Sequence, residues 1–150
     1  MPDAAPVLLA LGERAQTTRD REELGRVAVE SISKALPKAN WVGIYWLEGD
    51  TLVLGPYIGA PTEHVRIPVG RGVCGTAGSE DADQVVEDVT KRVNYLACSA
   101  GTRSEIVVLI RACGKVVGQF DLDSDEPGAF TGDDHCFLAM TAAALASLIS

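Results

Sequence analysis

Two pairs of strand-like runs, each joined by only two or three residues, constrain this chain more than anything else in it. NWVGIYWL (40–47) and TLVLGPYI (51–58) flank EGD, and SEIVVLIRA (104–112) and KVVGQFDLD (115–123) flank Cys113-Gly114. β-Branched and aromatic residues favour pleated backbone, and links this short join neighbouring strands as antiparallel hairpins. The chain is therefore expected to contain a sheet assembled from hairpins.

Helical periodicity brackets that sheet. In RDREELGRVAVESISKAL (19–36), Leu24, Ala28, Ile32 and Leu36 lie four apart with Val27 beside them, and Pro37 ends the stripe. After DEPGAF, Thr131 and Asp134 have the spacing of a capping box. The helix that follows is expected to bury Phe137, Met140, Ala144 and Leu148, with Leu145 beside them. Residues 59–103 show no strong period and are rich in glycine and proline, as loops that carry sites often are. No repeat, low-complexity tract or linker interrupts the 150 residues. The expectation is one α+β domain over 1–150, an antiparallel sheet with helices packed on one face.

Charge and cysteine usage narrow the partners. A formal charge of −8 without a basic run argues against nucleic acid or an anionic membrane surface. MPDAAPVLLALGERA is too short for a span and places Asp3 where a secretory leader would be basic, so the expected location is the cytoplasm. There Cys74, Cys98, Cys113 and Cys136 are not expected to form a disulfide framework. None has CxxC spacing, and with His64 and His135 as the sole histidines no zinc motif is legible, so no metal is expected.

Strand alternation sorts the polar and aromatic residues by face. Trp41, Gly43 and Tyr45 share one face of 40–47 while Val42, Ile44 and Trp46 share the other. A glycine between two rings either leaves a slot walled by aromatics or marks ordinary core packing. Gln119, Asp121 and Asp123 alternate with Phe120 and Leu122, and Glu105 opens the paired strand. Two aspartates on one strand face are unusual, because like charges repel and Asp is depleted in strands. They mark either a solvated sheet face or a cleft whose acids bind a cationic group, raise one another's pKa and deliver a proton.

Thiol chemistry needs the thiolate, which helix N-termini and nearby cations stabilise. Cys74 lies in GRGVCGTAG (70–78), which can begin a short helix near Arg71, and Cys98 lies in NYLACSAGTRSEIV with Arg103 close by in sequence. Cys113 in a hairpin turn and Cys136 near a helix start read as incidental or structural.

In their order and spacing, NWVGIYWLEGDTLVLGPY, VRIPVGRGVCGTA, VEDV, LACSAGTRSEIVV and GQFDLDSDEPGAF resemble the free methionine-(R)-sulfoxide reductases, which are single GAF domains. The resemblance covers roughly 40–130 and implies an antiparallel sheet with helices behind it and a ligand cavity closed by the central loops. It implies that Trp41 and Tyr45 wall the substrate cavity and that Asp121 and Asp123 hold the substrate. Glu105 would supply the proton, Cys98 would be the nucleophile, and Cys74 would resolve the product or position the substrate. Glycines around Cys74 would let its loop approach the pocket closely and move toward Cys98, since a disulfide needs Cα atoms within about 7 Å.

The implied activity is reduction of free methionine-(R)-sulfoxide through a sulfenic acid and a disulfide. The resemblance further implies no bound cofactor, thioredoxin (itself reduced by NADPH through its reductase) as the external reductant, and a homodimer. Two departures stand out. His64 in APTEHVRIP occupies a position where many members carry a further cysteine, and VVLIRACGK lacks a common proline. The alternative is a non-catalytic GAF module that binds or senses an amino-acid-like molecule, and the substitution at position 64 is its best argument.

Overall fold

The computed structural model describes residues 1–91 and 101–149. Along the chain come α1 (Ala5–Arg14), α2 (Arg21–Ala35), β1 (Trp41–Glu48), β2 (Thr51–Ile58), β3 (Arg66–Pro68), α3 (Gly72–Glu80) and β4 (Gln84–Val86). A 3-10 turn (Val89–Lys91), β5 (Ser104–Ala112), β6 (Lys115–Ser124) and α4 (Gly132–Leu148) follow. The strands form one six-stranded antiparallel sheet in the order β3-β2-β1-β6-β5-β4.

Both expected hairpins form. β1 and β2 close with Glu48 opposite Thr51 across Gly49-Asp50, and β5 and β6 close with Ala112 opposite Lys115. Cys113 and Gly114 take φ of 52° and 79°, the left-handed pair that matches the twist of a tight hairpin. What joins the hairpins is β1 against β6, with Trp41 opposite Asp123, Gly43 opposite Asp121 and Tyr45 opposite Gln119.

The sheet has two apolar faces. Val42, Ile44, Trp46, Ile106, Val108, Ile110, Phe120 and Leu122 pack beneath α1, α2 and α4 in the larger core. Each fully buried side chain of this size contributes about 1.5–3 kcal/mol relative to exposure. Leu24, Ala28, Ile32 and Leu36 are all buried, as the stripe in α2 requires, and the Asp20 side chain caps the helix by accepting from Glu23 N–H. The capping box of Thr131 and Asp134 opens α4.

The buried face of α4 differs from expectation. Phe137, Leu138, Thr141, Ala142, Leu145 and Ala146 face inward, Ala144 and Leu148 are half-buried, and Met140 is 45% exposed. An alanine-rich helix that is apolar on every side has no amphipathic stripe, so periodicity could not choose its inner face. α1 was not foreseen, because only Val7 and Leu11 turn inward while Leu8 and Leu9 lie exposed.

The opposite face holds a second cluster that includes Trp41, Tyr45, Leu52, Ile67, Val73, Cys74, Val107 and Leu109. The aperiodic middle supplies its cover as short pieces: β3, α3, β4 and the 3-10 turn. Among the described residues, no helix is long and apolar enough to cross a membrane.

Candidate active site

Alternation and strand pairing set the site on that second face. Glu105 pairs with Asp123 across β5 and β6, and Asp121 and Gln119 follow at two-residue steps along β6. Glu105, Asp121 and Asp123 are 2%, 0% and 1% exposed. The two aspartates are thus interior residues and no solvated sheet face. Carboxylates this close and this dry cannot all stay ionised cheaply. Burial first, then the charges of Asp121 and Asp123 and hydrogen bonds to both, holds the Glu105 carboxyl well above its ordinary range.

Cys74 reaches the same acids from the opposite side. It is the third residue of α3, buried, with Sγ 4.0 Å from Glu105 Oε2. A first-turn position favours negative charge on sulfur, while the neighbouring carboxyls oppose it. Arg71, the residue before the helix, is solvent-exposed, and among the described residues the sulfur lies against a carboxyl group. Arg103 instead pairs with Asp88 at 3.3 Å, and hydrogen bonds from Thr90 and then Arg103 lower the Asp88 pKa to about 2.

The glycines beside Cys74 serve close packing. Gly70 N–H donates to the Gly75 carbonyl at 2.7 Å, and Gly75 N–H donates to the Arg71 carbonyl at 2.9 Å. A Cβ on Gly75 would sit 2.7 Å from the Pro68 carbonyl oxygen, so only glycine lets the start of α3 lie against the end of β3.

Aromatic residues wall the other side. Trp41 stacks on Tyr57 with ring centroids 5.4 Å apart and on Tyr45 at 6.3 Å. Trp41 Nε1–H donates to the Ala60 carbonyl at 3.0 Å, and the Tyr45 hydroxyl donates to the His64 carbonyl at 2.8 Å. The space above Gly43 is no open slot. A Cβ there would lie 2.4 Å from Cη2 of Trp41, so the indole itself lies across the glycine. His64 enters the site through its backbone, as the carbonyl that fixes Tyr45.

Six of the seven expected site residues, Trp41, Tyr45, Cys74, Glu105, Asp121 and Asp123, thus share this face; Cys98 lies outside the described residues. Cys113 and Cys136 are exposed and away from it in the fold, in the β5–β6 turn and on α4. Gln119 was not nominated from sequence, although its place two residues before Asp121 was the available signal. It is fully buried, and its Nε2 donates to the Cys74 carbonyl at 3.1 Å.

A GAF-domain family profile matches residues 18–150. A free methionine-R-sulfoxide reductase of Escherichia coli is 44% identical over 119 residues, covering 79% of this chain and 72% of that protein. The structure of free methionine-R-sulfoxide reductase from Neisseria meningitidis in complex with its substrate is 32% identical with a TM-score of 0.87. The match covers 97% of this chain and 87% of that one. A type II free methionine-R-sulfoxide reductase from Thermoplasma acidophilum is 37% identical with a TM-score of 0.80, covering 86% and 94%. The six-stranded antiparallel sheet with its four helices is the GAF fold. By sequence and by structure, the chain belongs to the GAF-domain family and, within it, to the free methionine-R-sulfoxide reductases, which are oxidoreductases.

Proposed function

We propose that this chain reduces free methionine-(R)-sulfoxide to methionine at the face that joins Cys74, Glu105, Asp121 and Asp123. The observation that carries the reading, beside family membership, is the Glu105 carboxyl buried against Asp121 and Asp123 with Cys74 Sγ 4.0 Å away. A sulfoxide becomes a useful electrophile once its oxygen is protonated, and a carboxyl whose proton is held more tightly by burial and neighbouring acids can supply that proton. Asp121 and Asp123 then hold the substrate ammonium, and Trp41 and Tyr45 confine the methyl-sulfinyl end.

In the first step the Cys98 thiolate attacks the sulfoxide sulfur. Its oxygen passes to Cys98 as sulfenic acid and methionine departs, reduced by two electrons. A second thiol, for which Cys74 is the candidate, condenses with the sulfenic acid, forming a disulfide and releasing the oxygen as water. A dithiol such as thioredoxin then restores both thiols by exchange and is itself oxidised. The enzyme works in the cytoplasm as a homodimer on this reading, with no bound cofactor.

Methionine formation from the R and S epimers, with dithiothreitol and separately with a thioredoxin system, tests the proposal. Turnover of R under both reductants is expected, together with its loss in Cys98→Ser at retained affinity for the sulfoxide. Activity with dithiothreitol alone would refute the recycling route through Cys74. No turnover with binding retained would make the chain a non-catalytic ligand-binding module, a reading His64 favours.

A further inference from the structure

Chain spacing offers no metal motif, yet the fold assembles a donor set. One ligand atom each from Cys74, Glu105 and Asp121 lies within 4.8 Å of the other two, and all three residues are buried. We propose that Cys74, Glu105 and Asp121 form a binding site for zinc ion. Tetrahedral zinc with sulfur at about 2.3 Å and carboxylate oxygen at about 2.0–2.2 Å separates the two donors by about 3.5 Å. The observed 4.0 Å between Cys74 Sγ and Glu105 Oε2 closes to that distance by small side-chain adjustments.

The charge pattern favours a cation. A thiolate and two carboxylates would place three negative charges in a dry site, a dication offsets two of them, and Asp123, paired with Glu105 across the strands, adds a further acid beside them. A second observation points to a ligand at this place. Gln119 is 0% exposed, its Nε2 is anchored on the Cys74 carbonyl, and its Oε1 has no hydrogen-bond partner among the described residues. That oxygen shares the face of Asp121, where it can accept from a water bound to the metal.

The donor set also sets selectivity. Thiolate suits zinc, cobalt and cadmium, whereas magnesium and calcium need six or more oxygen ligands. Metal binding would engage Cys74 and Glu105 together and so block the reductase site, a consequence that rests on the proposed function.

Cobalt(II) titration of the reduced chain is the test. One equivalent should produce tetrahedral d–d bands with a sulfur-to-cobalt charge-transfer band, displaced by zinc and not by excess magnesium. The band should vanish in Cys74→Ser, weaken at least tenfold in affinity in Asp121→Asn, and persist in the Cys113→Ser/Cys136→Ser double variant. No charge-transfer band, or one that survives Cys74→Ser, overturns the proposal. Should Cys74→Ser fail to fold, X-ray absorption of the zinc-loaded wild type decides. One sulfur with an oxygen shell is expected, and several sulfurs or none refute the site. None of these readouts uses turnover, so the metal site and the reductase reading can fail separately.

Discussion

Replacing Gly43 by alanine probes how the aromatic wall is built. The new Cβ would lie 2.4 and 2.5 Å from Cη2 and Cζ3 of Trp41 and 3.0 Å from Cβ of Tyr57. Carbon atoms in good contact sit about 3.5–4.0 Å apart, so the indole would have to retreat by about 1 Å. It cannot do so freely: Trp41 is fully buried, stacked on Tyr57 and tethered to the Ala60 carbonyl. Removing glycine from a strand ordinarily gains about 0.5–1 kcal/mol, whereas overpacking costs about 1–3 kcal/mol. Turning the indole off Ala60 adds about 1 kcal/mol more. A net loss of about 2 kcal/mol should lower the melting temperature of a chain this size by about 4–8 °C. The near-ultraviolet tryptophan signal should change with it, and, on the proposed function, KM for the sulfoxide should rise. Thermal and denaturant unfolding with near-ultraviolet dichroism measure this. A melting temperature within about 1 °C of wild type with an unchanged tryptophan signal would refute the reasoning.

Three further outcomes follow from the same geometry. Burial and the neighbouring acids hold the Glu105 carboxyl well above its ordinary 4.5 in the native state, whereas unfolded it ionises near that value, so its contribution to stability declines as pH rises above 4.5. Glu105→Gln should therefore be more stable than wild type at neutral pH, the difference fading below 4.5, while turnover is lost; a pH-independent difference in unfolding free energy would contradict the raised carboxyl. Asp134 is governed differently: burial alone would raise its carboxyl, but hydrogen bonds from Lys38 and Thr131 outweigh it and set the pKa below 3.8. Its stabilisation is present above 3.8 and lost on acidification, and Asp134→Ala should cost about 2 kcal/mol by urea unfolding at pH 7. Gly75→Ala meets the backbone of Pro68 at 2.7 Å and of Gly70 at 3.0 Å, neither of which can rotate away, so it should lower the melting temperature by about 4–8 °C and, on the proposed function, lower kcat at least tenfold by displacing Cys74. Wild-type turnover in that variant would mean that the start of α3 does not position the thiol.

Much of this protein was legible as local pattern. The two hairpins, the α2 stripe and the α4 capping box follow from alternation, 3.6-residue spacing and turn chemistry, which act over a few residues. Alternation also placed Trp41 with Tyr45, and Gln119 with Asp121 and Asp123, on common faces before any strand was paired. The inner face of α4 was not legible, since a helix apolar all round carries no local preference and only its packing against β5 and β6 selects Phe137, Leu138 and Leu145 over Met140. Nor was the state of the aspartates, because the same alternation describes a wet face or a dry one; the cover of β3, α3 and β4 made it dry.

By itself, then, the sequence determined the elements, their faces and the family motifs, all of which depend on neighbours close along the chain. Only the tertiary structure decided that the Trp41 ring fills the space over Gly43 and that Cys74 meets Glu105, 31 residues away, with Gln119 holding its carbonyl. Those contacts arise from β1 pairing with β6 and from α3 folding over the sheet. Such long-range closures are chosen by the burial of the whole face, to which no single segment holds the key.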